Sequence, residues 1–149
     1  MMNIQKILCP VDFSEPSVFG LECAVAFAER FQAGLEVLYV VPFMPPQPMD
    51  PNSEYTVPEF EGILHREAEE KLGALLKEKV PAGVKAAAVL GHGHAAKEIV
   101  RIAEESKADL IVIANQGHSG WHRLLLGSVA EKVIRHAQCP IFIARKSGA

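Results

Sequence analysis

Two hydrophobic rhythms alternate along this chain. Short, mostly apolar runs at residues 4–10, 35–41, 84–90, 110–114 and 140–145 read as strands, and the unbroken run Leu110–Ile113 as a buried parallel strand. Between them, apolar residues recur every three or four positions, the spacing of one helix face. The first such stripe is Val18, Leu21, Ala24, Val25 and Ala28, opened by Ser14 as N-cap with Pro16 in the first turn and closed near Gly34. The second, from about residue 59 to 79, carries Phe60, Ile63, Leu64, Ala68, Leu72, Leu75 and Leu76, with Glu67 and Lys71 paired on its solvated side. Ile99, Ile102 and Ala103 mark a third helix, and residues 128–137 a fourth whose last turn holds Arg135 and His136 against the negative end of its dipole.

The punctuation fits. Pro42 ends the second strand and opens a segment, residues 42–58, that also contains Pro45, Pro46, Pro48, Pro51 and Pro58; regular structure is not expected there. Pro81 to Gly83 breaks the second helix, and Gly91-His92-Gly93-His94 reads as a turn into the third. Strands alternating with helices predict an α/β fold, a doubly wound five-stranded parallel sheet with helices on both faces, in one domain spanning residues 1–149. Ligands of such sheets sit beyond the carboxyl ends of strands where the winding reverses. The loops after the first and fourth strands are therefore the places to look.

Composition narrows the function classes. A net charge of −3 supplies no basic face for nucleic acid. No apolar run is long enough for a bilayer, and Met1 to Lys6 leads into a strand without a leader-like segment, so a cytoplasmic protein away from membranes is expected. Cys9, Cys23 and Cys139 lack zinc or redox spacing and are expected as reduced core thiols. His118 and His122 are four apart without a third ligand in view, so no metal site is assigned; Trp121 is expected to anchor its loop, and Arg123 either approaches a bound anion or is solvated.

Several doubly wound families are excluded by spacing. No G-x-x-x-x-G-K-[ST] occurs, and Pro10-Val11-Asp12-Phe13-Ser14 has neither the glycines of a dinucleotide loop nor the hydroxyls of a flavodoxin loop. Asp12 lacks the acidic neighbours of a phospho-accepting receiver, and His92-Gly93-His94 does not match the H-x-G-H of nucleotidyltransferases. One arrangement remains. The strand ending at Ala114 empties into a loop with Gly117, and Gly127 precedes Ser128 at a helix start. Strand, glycine loop and helix N-terminus together offer backbone N–H groups to an anion. Ser128 with Glu131 also fits a capping box, which needs no ligand, and Asp12 fits a simple turn cap; both readings stay open.

Residues 7–14, Gly93 to Ile99, and 124–133 followed by Cys139-Pro140 resemble the universal stress protein family over essentially the whole chain. Its nucleotide-binding branch carries G-x-x-G, nine residues, then G-[ST]; Gly117, nine residues and Gly127-Ser128 match without a gap, while Ala114 stands at the first glycine. The resemblance implies ATP, with Mg or Mn bound through its phosphates. It implies Pro10, Val11, Asp12, Val40, Ile113 and Ala114 around the adenosine and Gly117, Gly127, Ser128 and Val129 around the phosphates. An alanine at 114 costs little with negative φ and roughly 1–2 kcal/mol with positive φ. The expected protein is a nucleotide-dependent stress-response regulator with at most slow hydrolysis, since no general base or arginine finger is recognisable by spacing. The alternatives are a nucleotide-free interaction module, with a partner at the proline-rich residues 42–58, and a small ATP-using hydrolase or transferase. A homodimer through the C-terminal strand is expected if that strand lies at the sheet edge.

Overall fold

The computed structural model describes residues 2–42, 52, 56–117 and 126–146. In chain order the elements are β1 (Lys6–Pro10), α1 (Glu15–Phe31), β2 (Gly34–Pro42), α2 (Val57–Lys79), β3 (Ala86–Gly93), α3 (Ala95–Ser106), β4 (Leu110–Ala114), α4 (Ser128–His136) and β5 (Ile141–Ala144). All five strands pair in parallel in the order β3-β2-β1-β4-β5. The winding reverses between β1 and β4, so their carboxyl ends flank a crevice.

Strand alternation sorts the core into two layers. Ile7, Cys9, Leu35, Val37, Leu110 and Val112 face α1 and α2, meeting Leu21, Ala24, Val25, Ala28, Leu72 and Leu75. Leu8, Leu38, Val40, Ile111 and Ile113 face α3 and α4, meeting Ile99, Ile102, Ala103, Ala130 and Val133. Two helices thus cover each face, and each fully buried leucine contributes about 1.5–3 kcal/mol of apolar transfer. Among the described residues no helix is long and apolar enough to cross a membrane.

Four local expectations need correction. Helix α1 ends at Phe31 with Gln32 left-handed at φ 54°, while Gly34 donates its N–H to Gln5 O at 2.9 Å and begins β2. Strand β2 ends at Pro42 as expected, but it pairs with β3 as far as Pro42 and Gly93, so Gly91 and His92 belong to an edge strand and not to a turn. Helix α2 starts at Val57, two residues early, because Thr56 and Glu59 form a capping box around Pro58. Lys71 does not pair with Glu67; its ammonium lies 4.8 Å from the centroid of the Phe13 ring. The remaining prolines of the 42–58 segment, Pro45, Pro46, Pro48 and Pro51, lie outside the described residues.

Candidate functional site

The crevice is walled by the exits of β1 and β4 and by the start of α4. On the β1 side, the turn from Asp12 into α1 is closed by its own side chains. Ser14 N–H donates to Asp12 Oδ1 at 3.0 Å, the Ser14 hydroxyl donates to the same oxygen, and Ser17 Oγ accepts from the Asp12 N–H at 3.2 Å. Ser14 Oγ in turn accepts from Ser17 N–H, capping α1 as its sequence position predicts.

Between Asp12 and Ser14 the chain takes an unusual path. Phe13 is left-handed at φ 66°, a conformation costing a bulky L-residue roughly 1–2 kcal/mol. Its ring is held 4.7 Å from that of Tyr39 on β2, beneath the Lys71 ammonium of α2. These contacts keep the strained turn in place and fix where the Asp12 carboxylate sits. Burial, and then the charge of Asp12, push the Tyr39 phenol above its usual range. Neither Phe13 nor its two clamps carries a local signature, so the pattern of the chain does not announce them.

The β4 side meets that carboxylate closely. A Cβ on Gly117 would run into Asp12 Oδ2, so only glycine fits while Asp12 stays where it is. Gly127 is equally constrained: its Cβ would lie 3.0 Å from Asn115 O and 3.3 Å from Gln116 Cα. The two glycine positions that the pattern singles out are thus places where backbone and carboxylate approach.

Ala114 resolves its own question. It is not among the left-handed residues, so the alanine is unstrained. It is buried beside α1, where a Cβ on Gly20 would lie 3.4 Å from its N and 3.8 Å from its methyl. The methyl therefore packs toward a helix. Pro10, Val11, Val40 and Ile113 are likewise buried, and Val11 N–H is bonded to Leu38 O at 2.8 Å; Val11 packs in the α1–α2 layer, and Val40 and Ile113 in the α3–α4 layer.

The start of α4 departs from expectation in two ways. The capping box of Ser128 and Glu131 does not form: Gly127 is the N-cap, no side chain caps the helix, and Glu131 is bonded by Arg135 at 2.8 Å. The Gly127 N–H, expected to face phosphates, donates to Asn115 O at 2.6 Å and is consumed within the protein. Among the described residues, the N–H groups of Ser128, Val129 and Ala130 find no partner at this helix end, and the Ser128 hydroxyl and Val129 are exposed beside them. His118, Trp121, His122 and Arg123 lie outside the described residues. Among the described residues no cluster of three or more His, Cys, Asp or Glu could hold a metal.

Fold and crevice define the class first: an open, doubly wound α/β protein of Rossmann-like architecture. The chain matches the Universal stress protein family over residues 3–145, and it belongs to that family. It is 36% identical over 142 residues to universal stress protein MJ0531 of Methanocaldococcus jannaschii, covering 95% of this chain and 82% of that one. The solved structure of MJ0577, from the same organism, superposes at a TM-score of 0.79 with 29% identity over 100% of both chains. A universal stress protein of Archaeoglobus fulgidus solved in complex with dAMP shares the fold at a TM-score of 0.61 and 22% identity, over 96% of this chain and 98% of that one.

Proposed function

We propose that this protein binds ATP at the β1–β4 crevice and acts as a nucleotide-dependent regulator in the stress response, with at most slow hydrolysis. The observation that carries this reading is the uncapped start of α4 beside a glycine-lined crevice. The dAMP held by the Archaeoglobus fulgidus relative agrees with the ligand class. Residues in reach of phosphates are Gly117, Ser128 and Val129. Gly127 contributes by its lack of a side chain and not by its amide. Asp12, Pro10, Val11, Val40, Ile113 and Ala114 line the adenosine end, Asp12 accepting from an amine or hydroxyl.

Magnitudes set the balance of contributions. Anion stabilisation at a helix start contributes roughly 0.3–1 kcal/mol, up to about 2 when partly buried. Micromolar affinity takes about 8 kcal/mol, so adenine and ribose burial carry most of it. A Mg2+ or Mn2+ ion accompanying the nucleotide would be held by phosphate oxygens and would offset their charge.

Calorimetry with Mg-ATP tests the reading. Saturable binding is expected, and Ser128→Ala should weaken it roughly tenfold, the value of a charge-assisted hydrogen bond. No heat at millimolar nucleotide would remove ATP from the account. The consumed Gly127 amide specifically favours a second reading, a nucleotide-free interaction module, and that null result would leave it standing. We also propose a homodimer through β5, which lies at the sheet edge and exposes Phe142 against Phe27. Light scattering that returns a monomer would refute the pairing.

A further inference from the structure

Away from the crevice, at the β3 edge of the sheet, two histidines 27 residues apart in sequence meet. His65 Nδ1 on α2 lies 2.9 Å from His92 Nε2 on β3, and the other nitrogen of His65 lies 3.1 Å from Glu69 Oε1. The rings are within 8° of parallel with centroids 5.0 Å apart. With facing nitrogens so close, that spacing places the rings edge to edge, with the bond in their common plane. An ionised Glu69 can only accept, so it takes the Nε2–H of His65 and leaves a neutral ring's lone pair at Nδ1, aimed at His92.

We propose that His65 and His92 form a surface site for a late first-row divalent ion, Cu2+ ahead of Ni2+ and Zn2+. A carboxylate on the far nitrogen of an imidazole is the partner that orients metal-ligating histidines and raises their basicity. Two nitrogens about 2.0–2.1 Å from one ion stand about 2.9 Å apart at a right angle and about 3.4 Å apart in a tetrahedron. The two nitrogens, held 2.9 Å apart by their hydrogen bond, already stand at the separation of a right angle, which square-planar Cu2+ and Ni2+ adopt, and only the ring directions have to change. The His92 Nε2–H now points straight at the His65 Nδ1 lone pair, so binding tilts both rings toward a shared point outside the edge. His92 is exposed and the His65 side chain is 42% exposed, so neither tilt disturbs the core. His92 changes tautomer on binding, its proton moving from Nε2 to Nδ1, and the neutral pair releases none. No third protein ligand joins them among the described residues, and water completes the coordination. The site owes nothing to the nucleotide reading, since it is built on the opposite edge from β5 and outside the crevice.

The test uses tag-free, full-length protein titrated with Cu2+ supplied as its glycine complex and followed by electron paramagnetic resonance. One equivalent should leave glycine for the protein and show coupling to two imidazole nitrogens. His92→Gln and His65→Gln should each remove that signature. Glu69→Gln should keep it while weakening affinity roughly tenfold, as loss of an orienting partner does. Failure of the protein to compete with glycine would overturn the proposal. So would an unchanged spectrum in the double His65→Gln/His92→Gln variant, or binding that is lost instead with His118 and His122.

Discussion

Helices α1 and α4 begin on the same crevice, yet they begin in opposite chemical states. The α1 start is saturated: Ser14 caps it, and Asp12 and Ser17 complete a local network with a carboxylate at its centre. The α4 start has glycine at its cap and no side-chain capping bond. One wall therefore presents negative charge and hydrogen-bond acceptors, and the other presents donors without a partner among the described residues. For the proposed nucleotide, the difference would set the orientation: the anionic group at α4 and a hydrogen-bond donor at Asp12. A crevice with two capped helices would be merely structural.

Substitutions on each side test this asymmetry. The largest effect is expected at Gly127→Val, because the added side chain meets backbone at Asn115 and Gln116, which has no flexible end to yield. Nucleotide binding should vanish in calorimetry, and chemical denaturation should show a loss of about 1–3 kcal/mol, the usual cost of overpacking. Loss of stability with binding intact would break the comparison. Next comes Ser14→Ala, which removes the cap of α1 and the hydroxyl that donates to Asp12, while the backbone N–H at 14 keeps its bond to that carboxylate. It should cost about 1 kcal/mol and lower Tm by roughly 2–4 °C in calorimetric scanning, with adenosine affinity falling and inorganic phosphate affinity unmoved.

The smallest effect concerns Tyr39. Its raised phenol titration means the folded state favours the protonated form, so this contribution is complete below the unfolded phenol's pKa and is lost as pH rises through the folded one. Asp12→Asn removes the second cause and leaves the burial. The alkaline absorbance titration of Tyr39 should move down while staying above that of a free tyrosine. An unmoved titration would mean that Asp12 does not face β2 as a charge.

The sequence pattern conveyed the scaffold because strands and amphipathic helices are local in origin. Ile7 to Pro10 and Leu110 to Ala114 need no partner to reveal an apolar run, and Ser14 announces its helix within four residues. Where the pattern misled, a distant group had intervened. Ser128 fits a capping box by spacing, but Asn115 O takes the Gly127 N–H and makes the glycine the cap. Lys71 has a plausible partner one turn away and instead covers Phe13, more than fifty residues earlier. The β3 end looked like a turn because its glycines are turn formers. Pairing with β2 as far as Pro42 and Gly93 overrode that preference. The left-handed Phe13 shows the same limit, since aromatic side chains rarely adopt that conformation without outside support.

The thiol of Cys9 sits at the centre of the sheet, fully buried. Burial above all, and then the neighbouring Cys23, hold it in the protonated form far above the ordinary cysteine range. Peroxides and disulfides attack thiolates, so the heart of this molecule is chemically deaf to oxidants while it stays folded. An oxidative burst would leave this central thiol untouched.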